Sequence, residues 1–211
     1  MLWIIPAIVT SYLIGSIPTA YVFGRVFKGV DIRKFGSGNV GATNAMRLLG
    51  RGLGITVLVL DIFKGLLAVV FLGDFLVKQS NLIQEQNLRI IIGLCCICGH
   101  NWTVFLNFKG GKGVATTFGV LIGLGMRISG LNIVLGFLIL TWFLFFLILR
   151  FVSVASVISG LSLPIYMFLF RQSKVLILVS ILLALFVILR HKSNLKRFFQ
   201  GKEPRLSFKK T

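Results

Sequence analysis

Lys34-Phe35-Gly36-Ser37-Gly38-Asn39-Val40-Gly41-Ala42-Thr43-Asn44-Ala45-Met46-Arg47 is a polar, glycine-spaced stretch set between two long apolar runs. The apolar runs decide the fold class, and the stretch between them is the first candidate for chemistry. Gly36, Gly38 and Gly41 allow positive φ and close backbone approach, while Ser37, Asn39, Thr43 and Asn44 supply hydroxyls and amides. Lys34 and Arg47 add positive charge at either end. The set describes a cradle for a phosphate or carbonyl group. An ordinary glycine-rich loop between membrane helices has a similar composition, so its meaning depends on the rest of the chain.

Of the 211 residues 56% are hydrophobic, and the mean hydropathy is +0.95. Such a chain is an integral membrane protein rather than a soluble domain. Five acidic residues stand against 23 Lys and Arg, a formal charge of +18. No aromatic and basic interleaving of a nucleic-acid module accompanies that charge, and membrane topology explains its clustering better.

Working outward, the run before the cradle, about 2–24, is near the ~20 residues needed to cross a bilayer core. It lacks a basic leading region, and Tyr12, Pro18 and Tyr21 do not suit a cleaved signal peptide, so it reads as a retained span. Pro18, after Gly15-Ser16, predicts a kink near its end. The run after the cradle, about 53–73, contains Asp61 and Lys64, whose spacing of three puts them on one face as a pair. An intramembrane pair is either functional or an anchor holding its helix to the bundle interior.

A polar link, 74–87, leads to a third span at about 88–106 carrying Cys95-Cys96-Ile97-Cys98-Gly99-His100. A helix puts Cys95 with Cys98 and Cys96 with His100 on different sides, so the four cannot converge on one metal ion without breaking it. Small apolar packing accounts better for the thiols, and no disulfide framework is suggested.

Phe108-Lys109-Gly110-Gly111-Lys112-Gly113-Val114-Ala115-Thr116-Thr117 follows at once. Lys109, Gly110, Gly111, Lys112 and Gly113 before a helix start form a second cradle, offering backbone N–H groups, a favourable dipole and mobile cations to a phosphate. The GxxxxGK[ST] spacing fails, which disfavours nucleoside triphosphate. The apolar run to Met126 is short for a crossing, so its helix should begin within or just after the glycines.

Runs at about 131–149 and 152–170 should form a tight hairpin about Arg150. Ser153, Ser156 and Ser159 give the second of these a small-residue packing face. The last span, about 175–189, leads into a basic tail, 190–211, whose cations suit an anionic lipid surface. His191 and Asn194, three apart beside the membrane, are less easily explained so.

With about seven spans, one side of the membrane carries 17 Lys and Arg and the other five, Lys64 lying within a span. The positive-inside rule then puts the N-terminus outside and the C-terminus in the cytoplasm. Both cradles and the His191 segment share the cytoplasmic side. The expected architecture is an all-α transmembrane bundle forming a single domain, 1–211.

Ordered motifs run nearly end to end: Gly15-Ser16-Ile17-Pro18, Asp31-Ile32-Arg33-Lys34, Gly36 to Asn44, Asp61 with Lys64-Gly65, Gly99-His100, and Lys109 to Thr116. They end in Arg190-His191, Asn194, Arg197, Gly201 and Glu203-Pro204. In these the chain resembles the PlsY family of bacterial acyl-phosphate:glycerol-3-phosphate acyltransferases. One departure is Thr103, where similar sequences commonly carry proline; it removes no expected ligand.

The resemblance implies transfer of a fatty acyl group from acyl phosphate to the sn-1 hydroxyl of glycerol-3-phosphate, giving lysophosphatidic acid and phosphate in phospholipid synthesis. It implies a multi-pass protein of the bacterial inner membrane with its site on the cytoplasmic face and no metal or other cofactor. Coupling to a soluble acyl-phosphate-producing enzyme is a further implication. Ser37 and Lys112 would be catalytic, with both cradles holding the donor and donating to its carbonyl oxygen. His191, Asn194 and Arg47 would bind the glycerol-3-phosphate headgroup. The leaving phosphate would take the hydroxyl proton, in preference to an acyl-enzyme on Ser37. The HxxxxD motif of acyl-CoA-dependent enzymes is absent, since Phe105 and Lys196 stand five residues after His100 and His191. A transporter or channel for phosphate or a phosphorylated metabolite is the rival reading; its weakness is that the polar segments gather on one face.

Overall fold

The computed structural model describes residues 2–79 and 83–205, and the last six residues of the expected basic tail fall outside it. The described chain is helical and divides into two compact units, Met1–Ile128 and Ser129–Thr211.

In the first unit, α1 (Ile4–Ser16) and α2 (Thr19–Lys28) meet at Pro18 with a bend of 41°. This is the kink expected from proline, which cannot donate to the helical ladder. The cradle follows, with α3 (Ala42–Leu49) at its end. α4 (Arg51–Leu67) then continues through a π-helical stretch, Ala68–Gly73, into α5 (Asp74–Gln79). α6 (Glu85–Asn101) leads by a 3-10 turn to the second glycine segment, and α7 (Val114–Gly125) starts directly after the glycines.

Two close helix crossings hold this unit. α1 lies on α6 at Gly15 and Gly99: a Cβ on Gly15 would sit 2.0 Å from the Cys96 carbonyl oxygen, and one on Gly99 2.1 Å from that of Tyr12. α4 meets α7 in the same way, a Cβ on Gly65 falling 2.3 Å from the Thr116 oxygen. Missing side chains thus let backbones touch, the device expected where lipid offers no hydrophobic drive between helices. Polar groups fasten the first crossing along its length: Ser11 Oγ donates to Ile92 O at 2.6 Å, and Tyr12 Oη to Trp102 O at 2.6 Å. Thr103 Oγ1 donates to Ser16 O at 2.6 Å, at a helix end whose carbonyls have no intrahelical partner. Thr103 therefore ties the approach to the second cradle onto the Pro18 break.

The second unit contains α8 (Leu131–Leu149), α9 (Val152–Leu169) and α10 (Lys174–Phe199). Ser156 accepts from Trp142 Nε1 at 3.1 Å and Ser159 donates to Leu138 O at 3.1 Å, so two of the three spaced serines serve α8–α9 packing. α10 runs without interruption from the last apolar span into the basic tail.

Five described helical segments are long and apolar enough to cross a membrane, Arg51–Gln79 among them, or six if the bent pair is one span. The remaining candidate is α7, whose 12 residues reach about 18 Å at 1.5 Å per residue, short of a bilayer core of about 30 Å.

Candidate active site

Asn44 builds the first cradle. It is buried at 1% exposure, and its Oδ1 accepts from Ser37 N at 3.1 Å. Its Nδ2 donates to Ile32 O at 3.2 Å and to Phe35 O at 3.0 Å. Both polar atoms of the amide are thereby engaged in shaping the loop. Gly36 takes φ +54, and a Cβ there would lie 2.4 Å from Asn44 Oδ1, so both conformation and space demand glycine. The folded loop leaves Ser37, Gly38, Asn39, Gly41 and Thr43 half-buried and Arg47 exposed in the last turn of α3. Asp31 carries the loop's entrance: its carboxylate accepts from Arg33 N at 3.0 Å and from Arg33 Nη2 at 2.7 Å. The Arg33 guanidinium holds Asp31 well below the usual carboxylate range, at about 2.

The second cradle rests on the C-terminal end of α6. Gly111 N donates to His100 O at 2.9 Å and Gly110 N to Asn101 O at 3.2 Å. Gly113 has φ +77 and caps α7, so the first-turn N–H groups of α7 open toward the loop. Gly110, Gly111 and Gly113 are buried, Lys112 half-buried and Lys109 exposed. The two cradles share a floor, since Leu106, just before the second, packs with Ile32, Val40 and Ala45 of the first. The first unit thus carries two glycine-lined loops on one apolar floor, with Lys112 and Arg47 on them.

Beneath lies a polar centre that sequence spacing showed only in part. Asp61 and Lys64 do pair, at 2.8 Å. The same Asp61 oxygen accepts from Thr19 Oγ1 at 2.7 Å and lies 3.7 Å from His100 Nδ1. Lys64 Nζ also donates to Ile17 O, at 3.1 Å, at the Pro18 break. A buried pair so compensated avoids the penalty of an isolated charge. His100 joins this group, while Cys96 Sγ sits 3.6 Å from Lys64 O among apolar side chains.

His191 and Asn194 lie one turn apart on α10 in the second unit, both buried. His191 Nδ1 is 2.8 Å from Val187 O, so Nδ1 carries a proton and donates it to that carbonyl. Asn194 Nδ2 donates to Glu203 Oε1 at 2.5 Å. Glu203 also accepts from Ser153 Oγ at 2.8 Å and Arg197 Nε at 2.8 Å. Burial pushes the Glu203 carboxyl up, but these donors outweigh it and hold it below its ordinary value. The one acid in a basic tail was the available signal for this clamp, because it must seek donors nearby.

The long apolar helices define an integral membrane protein, and the two glycine-lined loops with their cations mark its candidate site. The family profile described as glycerol-3-phosphate acyltransferase matches residues 5–201. Glycerol-3-phosphate acyltransferases of Prochlorococcus marinus (strain NATL2A) and Staphylococcus aureus (strain Newman) are 43% and 40% identical over 200 and 206 residues. These matches cover 93% and 97% of this chain and 94% and 98% of the relatives. The crystal structure of PlsY (YgiH), an integral membrane glycerol 3-phosphate acyltransferase, in its glycerol 3-phosphate form superposes with a TM-score of 0.83 at 34% identity, covering 97% of this chain and 96% of that one. Its lysophosphatidic acid form gives 0.80 at 33% identity, covering 97% and 95%. The chain belongs to the PlsY family of glycerol-3-phosphate acyltransferases. Its activity is acyl transfer to glycerol-3-phosphate.

Proposed function

We propose that the acyl donor is acyl phosphate and the acceptor the sn-1 hydroxyl of glycerol-3-phosphate, with reaction at the cytoplasmic face of the bacterial inner membrane. The observation that carries this is the pair of glycine cradles on a common floor, which suits a mixed anhydride presenting both a phosphate and a carbonyl oxygen. Ser37 and Lys112 are the catalytic groups: Ser37 donates to the carbonyl oxygen as it becomes an oxyanion, and Lys112 neutralises the donor phosphate. Gly36, Gly38, Asn39, Gly41, Thr43 and Lys109 to Gly113 line the donor's path. Arg47, His191 and Asn194 bind the acceptor, an assignment that rests on the family's ordered motifs.

In the reaction, the sn-1 oxygen forms a bond to the carbonyl carbon while the carbon–oxygen bond to phosphate breaks. The leaving phosphate takes the hydroxyl proton, so products are lysophosphatidic acid and inorganic phosphate, with no acyl-enzyme. The family profile runs across both units, which supports reading 1–211 as a single acyltransferase domain. With the bent pair and the short α7 each counted as a span the total is seven, and the distribution of Lys and Arg then favours an N-terminus outside and a C-terminus in the cytoplasm. Coupling to a soluble enzyme that makes acyl phosphate follows from the donor's reactivity.

Mass spectrometry of the protein incubated with donor alone tests direct transfer. No acyl adduct on the Ser37 peptide, together with ternary-complex kinetics, is the expected result. A stoichiometric adduct that forms and decays at the turnover rate would replace this mechanism with an acyl-serine one. Acyl-CoA in place of acyl phosphate should give no product.

A further inference from the structure

The geometry points to His100 as the positioning residue of the second cradle, with Asp61 holding its ring. This rests on the reading that the cradle binds the donor phosphate. Three facts converge on His100. Its carbonyl accepts the Gly111 N–H at 2.9 Å. Its ring lies so close under the loop that a Cβ on Gly111 would fall 2.1 Å from Nε2. Its Nδ1 faces the Asp61 carboxylate at 3.7 Å, and that carboxylate is itself fixed by Thr19 and Lys64.

The loop therefore lies on a rigid imidazole rather than on a yielding apolar side chain. Asp61 and Lys64 from α4, Thr19 from α2 and His100 from α6 form one buried polar column, and its upper end is the underside of Gly111. The next residue, Asn101, fills the space below Gly113, where a Cβ would come within 2.6 Å of its Oδ1. The height of the column sets the height of the Gly111 backbone and hence where Lys112 stands. His100 touches no substrate in this arrangement; it acts through the loop.

The test is a double-mutant cycle of His100→Ala and Gly111→Ala in purified full-length protein, with KM and kcat measured separately for acyl phosphate and glycerol-3-phosphate. Gly111→Ala lifts the loop off the ring, and a misplacement near 1 Å costs about 100-fold. In the His100→Ala background the added methyl has room, so its cost should fall by about tenfold, within the coupling seen for touching residues. His100→Ala alone should raise KM for acyl phosphate about tenfold while KM for glycerol-3-phosphate moves less than twofold. Asp61→Asn should move the same constant in the same direction. Thermal unfolding of each variant identifies loss by misfolding, which would lower kcat and leave both KM values in place.

Additive single losses, or no split between the two KM values, would overturn the inference. A split in which glycerol-3-phosphate is the substrate affected would support His100 as the loop's positioning residue and move the loop from donor to acceptor. Absence of lysophosphatidic acid from the folded wild type would instead overturn the proposed reaction, and is scored before any variant.

Discussion

Asn44→Asp changes one atom and should be nearly as damaging as Asn44→Ala. The wild-type amide makes three bonds within the first cradle, accepting from Ser37 N and donating to Ile32 O and Phe35 O. A carboxylate keeps the first and turns the other two into contacts between oxygens carrying partial or full negative charge. Alanine removes all three. At about 1 kcal/mol net for each bond, Asn44→Ala costs the loop about 3 kcal/mol, which corresponds to about 100-fold in rate if it is drawn from transition-state positioning. Asn44→Asp loses about 2 kcal/mol of bonding and adds repulsion, so it should fall in the same range. The assay is kcat/KM for acyl phosphate at saturating glycerol-3-phosphate, with thermal stability in parallel. Because the bonds lie within one loop, the melting temperature should change far less than the activity. Full activity of Asn44→Asp would refute the claim that the amide's donors shape the cradle.

Lys112→Ala should lower kcat/KM about 10- to 150-fold, the value of one charge-assisted contact, whereas Lys78→Ala, away from both cradles, should leave it unchanged in the same assay. Ser37→Ala should cost about 100- to 1000-fold yet keep a measurable rate, as loss of one oxyanion donor does. Glu203 is held below its ordinary value, so its stabilising contribution is complete above the usual glutamate range near ~4.3 and is lost as pH falls through its folded value. Stability should therefore drop on acidification, and Glu203→Gln should flatten that part of the melting profile. A C-terminal reporter active only in the cytoplasm should be functional; activity of a periplasm-dependent one would reverse the topology.

Local patterns were legible where one short segment contains its own cause. The break at Pro18, the start of α7 after Gly113 and the Asp61–Lys64 pair each follow from residues within four positions of one another. The cradles were legible as compositions, but not the burial of Asn44 inside one of them, because an amide in a polar loop reads equally as ligand or as scaffold. Thr19 meets Asp61 across 42 positions and Thr103 meets Ser16 across 87. Contacts of that separation depend on how helices cross, which periodicity does not encode. His100 next to three cysteines invited a metal reading of its neighbourhood, while its ring instead faces a carboxylate on α4. Length estimates blurred the membrane segments for a physical reason: the π-helical stretch joins α4 to α5 into one 29-residue segment reaching past the apolar run. α10 likewise runs without a break from its apolar stretch into the basic tail.

Incubation of the purified protein with long-chain acyl phosphate and glycerol-3-phosphate tests the central claim most directly, with lysophosphatidic acid and inorganic phosphate both quantified. The two should appear together in a one-to-one ratio, with the acyl chain on the sn-1 oxygen and no requirement for coenzyme A. Folded protein that forms no lysophosphatidic acid from acyl phosphate, or forms it only from acyl-CoA, would contradict it.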